Sequence, residues 1–360
     1  MMFGFDKMAV KKSLFILITG SIPLLLFMGG PEEKKPAEDT QKIKLPDGYE
    51  VRYFEDLRYG LFIPPTYDPA ESYPLIVCLH GKGDTVSWDL PWYHDPIQAE
   101  DPCFVITPKT LATDRGWGHS WNDEHSKDMK KTLQVLALLR QEFNIDPNRL
   151  YIHGTSMGGF GTFSALTKEA GMFAAAFSIC GGGNPEKAGL LVDTPLWIFH
   201  GSADNIVPVR FSRDVYRAIV DAGGKQVRLT EYPGVGHPAW TPAWKEPTLT
   251  SWLLVQVKGV KHAAPDPVEN VGYEIPDDNQ VKLVWTAPSD HSNPDNRIWY
   301  YKVFHNSELI AEIDNKQTCY IDTVVYRAST QSYSISTVNY FFRESERTAP
   351  LIIRLNNEKP

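Results

Sequence analysis

Ser156 stands among glycines in the stretch YIHGTSMGGFGT, which runs from Tyr151 to Thr162. Glycine weakens strands and helices alike. Gly154, Gly158 and Gly159 around one serine therefore predict a turn too tight for side chains, one that holds the hydroxyl where another group can reach it. The pattern is G-x-S-x-G, and its surroundings give it weight: the apolar run Leu150 to Ile152 leads in, and GFGTFSALTKEA leads out as a helix. Strand, sharp turn and helix are the setting that a nucleophilic serine requires. An ordinary helix cap is the structural alternative, but a cap does not call for three glycines.

A serine hydroxyl is a poor nucleophile at neutral pH, so it needs a base, and the base needs an orienting acid. Two later stretches offer them. HGSADNIVP puts Asp204 just after an apolar run, and YPGVGHPAW puts His237 just after the next one. Both positions follow the carboxyl ends of strands, where open α/β sheets carry their functional groups. The order serine, acid, histidine is that of the nucleophile-elbow enzymes. Asp193 is the rival acid, but it precedes its strand and belongs at the wrong end of the sheet. Asp204 also has a structural reading, as a cap for a helix beginning near Pro208, and His237 has one as a loop histidine packed on Trp240.

Acyl transfer further needs two backbone N–H groups aimed at the charge that develops on the carbonyl oxygen. The amide of Met157, directly after the serine, is one expectation. The other falls in HGKGDT after the run PLIVCLHG, with Lys82 the first choice and Gly81 the second. No cofactor or metal is expected: His119 and His125 lie six apart with scattered acids between, which is not a ligand spacing.

The elements that must position these groups are legible as alternating periods. Apolar runs at Pro74 to Gly81, Cys103 to Lys109, Leu150 to Gly154, Ala174 to Gly181, Leu196 to Gly201 and Val227 to Gly234 read as strands, most of them apolar at successive positions as strands buried on both faces are. Between them, Met129, Leu133, Leu136 and Phe143 share a helix face after a Ser126 cap, and Phe211, Val215, Ala218 and Ala222 share another before Gly223. Alternating strand and helix predicts an α/β fold, a mostly parallel sheet flanked by helices, over residues 49–260. After a linker at 261–268 the helical period ends. VKLVWTAP, WYYKVFHN, ELIAEI and SYSISTVNY alternate as strands with turns between them, which predicts a small all-β antiparallel sandwich over residues 269–358.

Composition bounds the partners. A formal net charge of −8 with 42% hydrophobic residues excludes nucleic acid or an anionic membrane surface as the main partner and suits a small neutral or hydrophobic substrate. Residues 1–30 carry Lys7, Lys11 and Lys12 before the apolar run Ser13 to Met28, which is shorter than the roughly 20 residues of a spanning helix. They read as an export signal, or as an anchor if uncleaved, and 31–48 as a polar tether. The expected location is secreted, periplasmic or cell surface. The cysteines, Cys78, Cys103, Cys180 and Cys319, are irregularly spaced and read as buried small hydrophobes, with a disulfide as the alternative in an exported protein.

With these motifs in hand a resemblance can be stated. LHGKGDT, DPNRLYIHGTSMGGFGT, IFHGSADNIVP, YPGVGHPAW and EPTLTSWLLVQVK occur in the order of the α/β-hydrolase superfamily, and residues 49–258 resemble its group of small esterases. That group takes in secreted peptidase-like esterases, polyhydroxybutyrate depolymerase and feruloyl esterase relatives, and acyl-protein thioesterase-like carboxylesterases. The resemblance implies a serine carboxylesterase with the triad Ser156, Asp204 and His237 and a second oxyanion amide at Lys82, where a lysine replaces the smaller apolar residue of the group. It implies feruloyl or acetyl esters of polysaccharide as substrates. Residues 269–358 resemble a fibronectin type III module through Trp285, Tyr301, Val303, Tyr333 and Ile335. For that module a spacer role and a carbohydrate- or partner-contacting role both stand.

The stretch TLATDRGWGHSWNDEHSKD should fold over the catalytic face and bring Trp117, His119 and Trp121 near it. With Trp88, Trp92 and Trp240 these form either an aromatic platform for acyl or sugar groups or the packing of a loop on its scaffold. A serine peptidase with the same triad is the enzymatic alternative, and a non-catalytic binding protein on a hydrolase scaffold is the alternative of another class.

Overall fold

The apolar runs form the heart of one twisted sheet. The computed structural model describes residues 46–83, 90–111, 116–277, 280–289, 295, 297–323 and 330–354. The expected export segment, all but the last residues of the tether, and Trp88 lie outside the described residues.

Strands β1 (Tyr49–Phe54), β2 (Leu57–Phe62), β3 (Tyr73–Leu79), β4 (Phe104–Lys109), β5 (Ile145–Thr155), β6 (Ala175–Ile179), β7 (Leu196–Gly201) and β8 (Val227–Tyr232) make eight strands in the order β1-β2-β4-β3-β5-β6-β7-β8. From β4 to β8 all neighbours run parallel, while β2 pairs antiparallel with both β1 and β4. Alternate residues of β3 feed different cores: Leu75, Val77 and Leu79 enter one, Ile76 and Cys78 the other. Burial on both faces explains why this strand reads as a continuous apolar run. The β1–β2 hairpin is an addition to the sequence reading. Its edge strand is half-exposed, so no long apolar run announces it.

Helices α1 (Asp95–Glu100), α2 (Lys127–Glu142), α3 (Met157–Lys168), α4 (Arg210–Asp221), α5 (Trp240–Ala243) and α6 (Leu249–Val255) complete the first lobe. The Ser126 side chain caps α2 by accepting from the Met129 amide at 3.3 Å. The apolar faces of α2, α3 and α4 pack on one side of the sheet, and α6 packs on the other. On α4 the buried stripe is Ser212, Val215 and Ile219, with Ala222 exposed. The expected stripe is thus rotated, because Ser212 turns inward to bond the buried His200 (2.7 Å) and the Gly181 carbonyl (3.1 Å).

Beyond residue 268 the described strands all pair antiparallel. Strands β9 (Glu269–Glu274), β10 (Val281–Thr286) and β13 (Cys319–Asp322) form one sheet; β11 (Ile298–His305), β12 (Glu308–Asp314), β14 (Thr330–Asn339) and β15 (Leu351–Arg354) form another. Val281, Leu283 and Trp285 share one face of β10, as their alternation requires, and pack with Tyr301, Val303, Tyr333 and Ile335 of the second sheet.

This second lobe is sewn to the first, the two forming one compact unit from Leu45 onward. The register of β11 against β14 shifts between Ile298 and Tyr300. Trp299 there meets Trp197 of β7 with ring centroids 4.7 Å apart, and Phe342 stacks on Trp252 of α6 at 5.2 Å. The connecting segment is also held. Thr337 donates to the Asp266 carbonyl (2.6 Å), Asn339 to the Ala263 carbonyl (3.2 Å), and Val268 is buried in the second lobe's core.

Candidate active site

The turn from β5 into α3 is strained where the sequence crowds its glycines. Ser156 has φ 54° and ψ −113°, a conformation that costs a non-glycine residue about 1–3 kcal/mol and persists only where its surroundings impose it. Two backbone bonds do so: Ser156 N–H donates to the Ile179 carbonyl (2.7 Å), and Phe160 N–H donates to the Ser156 carbonyl (3.1 Å). Close packing does the rest. A Cβ at Gly158 would lie 2.0 Å from the Leu79 carbonyl oxygen, so only glycine lets α3 start this near the end of β3.

Asp204 follows β7. Its Oδ1 accepts the amides of Ile206 and Val207, both at 2.9 Å, and its Oδ2 accepts Nδ1 of His237 at 2.7 Å. Burial alone would raise its pKa. The hydrogen bonds from His237, Val207 and Ile206 outweigh burial and hold the carboxyl below the usual carboxylate range. His200 Nε2 approaches the same oxygen at 3.3 Å, and burial keeps its imidazole below the ordinary histidine range. Asp204 therefore shapes its own loop and orients His237. The structural alternative, a cap for the following helix, is not what it does, since α4 is preceded by Val209 and has no side-chain cap.

His237 follows β8 and completes the line, with Nε2 3.0 Å from Ser156 Oγ. Its ring meets Trp240 edge-on at 5.6 Å, so Trp240 buttresses the imidazole. Beneath it the Cys180 thiol donates to the His237 carbonyl (2.9 Å). Burial pushes that thiol up to about 12, which keeps it a neutral donor and no nucleophile. Cys180, Asp204 and His237 are the one group among the described residues with ligand atoms close enough to hold a metal ion. All three are already engaged in the hydrogen bonds just given.

Met157 opens α3, so its amide lacks an intrahelical acceptor. Lys82 lies in the loop after β3, which the start of α3 touches through Gly158. His80 braces that loop, and the sequence reading had not singled it out. Its Nε2 accepts the Thr110 amide (3.1 Å), which leaves Nδ1 to donate to the Gly81 carbonyl (2.7 Å).

The tryptophans divide. Trp117 was expected near substrate, but it is fully buried and donates to the His80 carbonyl at 3.0 Å. Its loop folds inward, so the indole supports the Lys82 loop from the core. Trp92 is likewise buried, donating at 3.0 Å to His153, which stacks on Phe177. Trp121 stays exposed at 43% and packs against Phe160 (6.2 Å) and Phe211 (6.0 Å), while His119 meets Phe160 at 5.2 Å. Phe160 and Phe211 are additions to the predicted set. Phe160 sits four residues beyond Ser156 on α3, a signal that the run GGFGTF carried. Lys168 ties the loop of Trp121 down by donating to the His119 carbonyl at 2.9 Å.

Comparison with known proteins agrees with this architecture. Residues 113–185 match the model of the prolyl oligopeptidase family. A bifunctional acetylxylan esterase/xylanase of Neocallimastix patriciarum is 29% identical over 139 residues, which is 38% of this chain and 20% of that protein. A probable feruloyl esterase C of Aspergillus niger is 26% identical over 203 residues, 53% of this chain and 70% of that protein. Among solved structures, a thermostable esterase superposes with a TM-score of 0.54 at 33% identity, covering 59% of this chain and 64% of that one. The chain thus spans about a fifth of the first relative and under two thirds of the esterase structure. With the strand order above, these similarities give the first lobe the α/β-hydrolase fold and support a hydrolase.

Proposed function

We propose that the protein is an exported serine hydrolase that cleaves carboxylic esters through Ser156, His237 and Asp204. The observation that carries the reading is the continuous line from Asp204 Oδ2 through His237 to Ser156 Oγ, at 2.7 and 3.0 Å, on a strained turn. Ser156 Oγ attacks the acyl carbon while His237 Nε2 takes its proton, and Asp204 holds the imidazole in the tautomer that accepts it. The amides of Met157 and Lys82 receive the oxyanion. Collapse returns the proton to the leaving alcohol, and water, deprotonated by His237, releases the acid from the acyl-enzyme.

Feruloyl or acetyl esters of polysaccharide are the substrates we favour. The aromatic group of Trp121, Phe160 and Phe211, whose Phe160 lies one helical turn beyond the serine, suits a planar acyl group, and the esterase relatives support the same class. The second lobe reads as a fibronectin type III-like module. Peptide substrates are the second reading, favoured by the prolyl oligopeptidase family match.

The test is turnover of p-nitrophenyl acetate, methyl ferulate and a dipeptidyl p-nitroanilide by the full chain and by its Ser156→Ala variant. We expect ester hydrolysis, reduced on the order of a thousandfold or more in the variant. Anilide cleavage without ester cleavage would shift the reading to a peptidase. A folded protein with no turnover and no fluorophosphonate labelling would make it a binding protein on a hydrolase scaffold.

A further inference from the structure

Strand β8 leads at its carboxyl end to the loop of His237. At its other end, around Val227 to Leu229, a cleft of about 590 Å³ opens between the two lobes. Its walls are α4 and β8 on one side and β11, β12 and the segment after β14 on the other. In a chain of formal charge −8 the charges here run the opposite way: Lys225, Arg228, Lys302 and Arg343 line the cleft against Glu312 and Glu344. Both carboxylates are committed. Glu312 pairs with Arg228 at 2.8 Å, and Glu344 pairs with Lys302 at 2.6 Å while accepting from Ser336 at 2.7 Å. Lys225 has no carboxylate partner among the described residues, while Arg343 lies within electrostatic reach of Asp295, the carboxylate paired with His262.

Three nitrogen atoms of the lining are sealed from solvent with no hydrogen-bond partner among the described residues: Nε of Arg228, Nε of Arg343 and Nε2 of His262. Such groups are rare in folded proteins, because each costs about 1–3 kcal/mol when left unmet. Two of them are also held rigid. The Arg228 guanidinium lies over Tyr300 (4.6 Å) and Trp299 (4.9 Å), and His262 stacks on Phe341 at 3.3 Å with its Nδ1 on Asp295 at 2.7 Å. The excess of positive charge that Lys225, Arg228, Lys302 and Arg343 give the lining favours oxygen atoms bearing negative charge, and an interlobe cleft is a common place for a ligand that carries them.

We propose that this cleft is a second binding site, separate from Ser156, for a small molecule bearing a carboxylate or phosphate group. The oxyanion meets Arg343 and Lys225, and the polar remainder of the molecule lies against Arg228 and Tyr300. Occupancy bridges α4 and β8 to the second lobe and so stabilises their contact.

The test is calorimetric titration of the full chain at about 20 mM ionic strength, where screening is weak, with D-glucuronate, inorganic phosphate and D-glucose as probes. We expect an anionic probe to bind and glucose not to bind. Affinity should fall roughly tenfold in Arg343→Gln and stay unchanged in Ser156→Ala. Binding of glucuronate alone would assign a sugar carboxylate, and of phosphate alone a phosphate, each supporting the site. Failure of both anions to bind, or equal binding of glucose, would overturn it. Exposed Lys225→Ala supplies the same comparison should Arg343→Gln fail to fold, and binding unaltered in every folded variant would also overturn the proposal.

Discussion

Two of the histidine–aspartate pairs, one taken from each lobe, use the same residue types for different ends. At the carboxyl edge of the large sheet, Asp204 takes Nδ1 of His237 at 2.7 Å, and the other imidazole nitrogen faces a serine hydroxyl. In the second lobe, buried Asp322 lies 3.2 Å from Nδ1 of His305 and accepts the Tyr333 hydroxyl at 2.7 Å, while Nε2 of His305 meets the Gln331 side chain. Both carboxylates are nearly shut off from water. The second pair closes on itself; the first is left open at one end, toward a residue held in an unfavourable backbone conformation. In the function proposed above, chemistry comes from that open end, and the pair alone supplies only cohesion.

Breaking each pair should expose the difference. Asp204→Asn is expected to lower kcat on p-nitrophenyl acetate on the order of ten-thousandfold, because the imidazole loses its orienting partner. Asp322→Asn should leave kcat within about twofold and lower the unfolding free energy by about 2 kcal/mol, read in a urea melt. A large rate loss in the second variant would erase the distinction.

The turn beneath the open end gives the next contrast. Gly158→Ala forces a Cβ to within 2.0 Å of the Leu79 carbonyl, and a displacement of the serine near 1 Å should cost about a hundredfold in kcat. Gly189→Ala, whose Cβ would meet nothing within 4 Å, should leave kcat unchanged.

A third histidine serves neither end. Burial of His153 lowers its pKa to about 3, so it stays neutral in the fold while the unfolded chain takes a proton below about pH 6.5. Its contribution is complete above that pH and is lost as pH falls, by about 2 kcal/mol between pH 7.5 and 5. A melting-temperature profile should show the decline, and His153→Phe should flatten it. The smallest expected effect is on selectivity: Phe211→Ala should lower kcat/KM for methyl ferulate about fivefold relative to the acetate. An unchanged ratio would remove Phe211 from the acyl site.

What the sequence made legible followed from rules that act along the chain. A two-faced apolar run marks a strand in a parallel sheet, and a loop after its carboxyl end lies on the functional edge. Ser156, Asp204 and His237 were therefore readable together, as was the alternation of Val281, Leu283 and Trp285. Trp117 was not, because whether a loop indole turns outward or under the next loop depends on the space that Gly161 leaves and on the His80 carbonyl. Phe211 escaped for a similar reason. It was assigned to the buried stripe of α4 until the inward turn of Ser212 placed it at the rim, beside Trp121.

The packing of Trp299 and Phe342 on Trp197 and Trp252 makes the lobes poor candidates for separation. Ended at Lys258, the chain would present two indoles, Trp197 of β7 and Trp252 of α6, to water. Its characteristic failure would then be self-association through that patch, however intact the serine line at the far edge. For recombination and engineering, the two lobes are moved between hosts together and not singly.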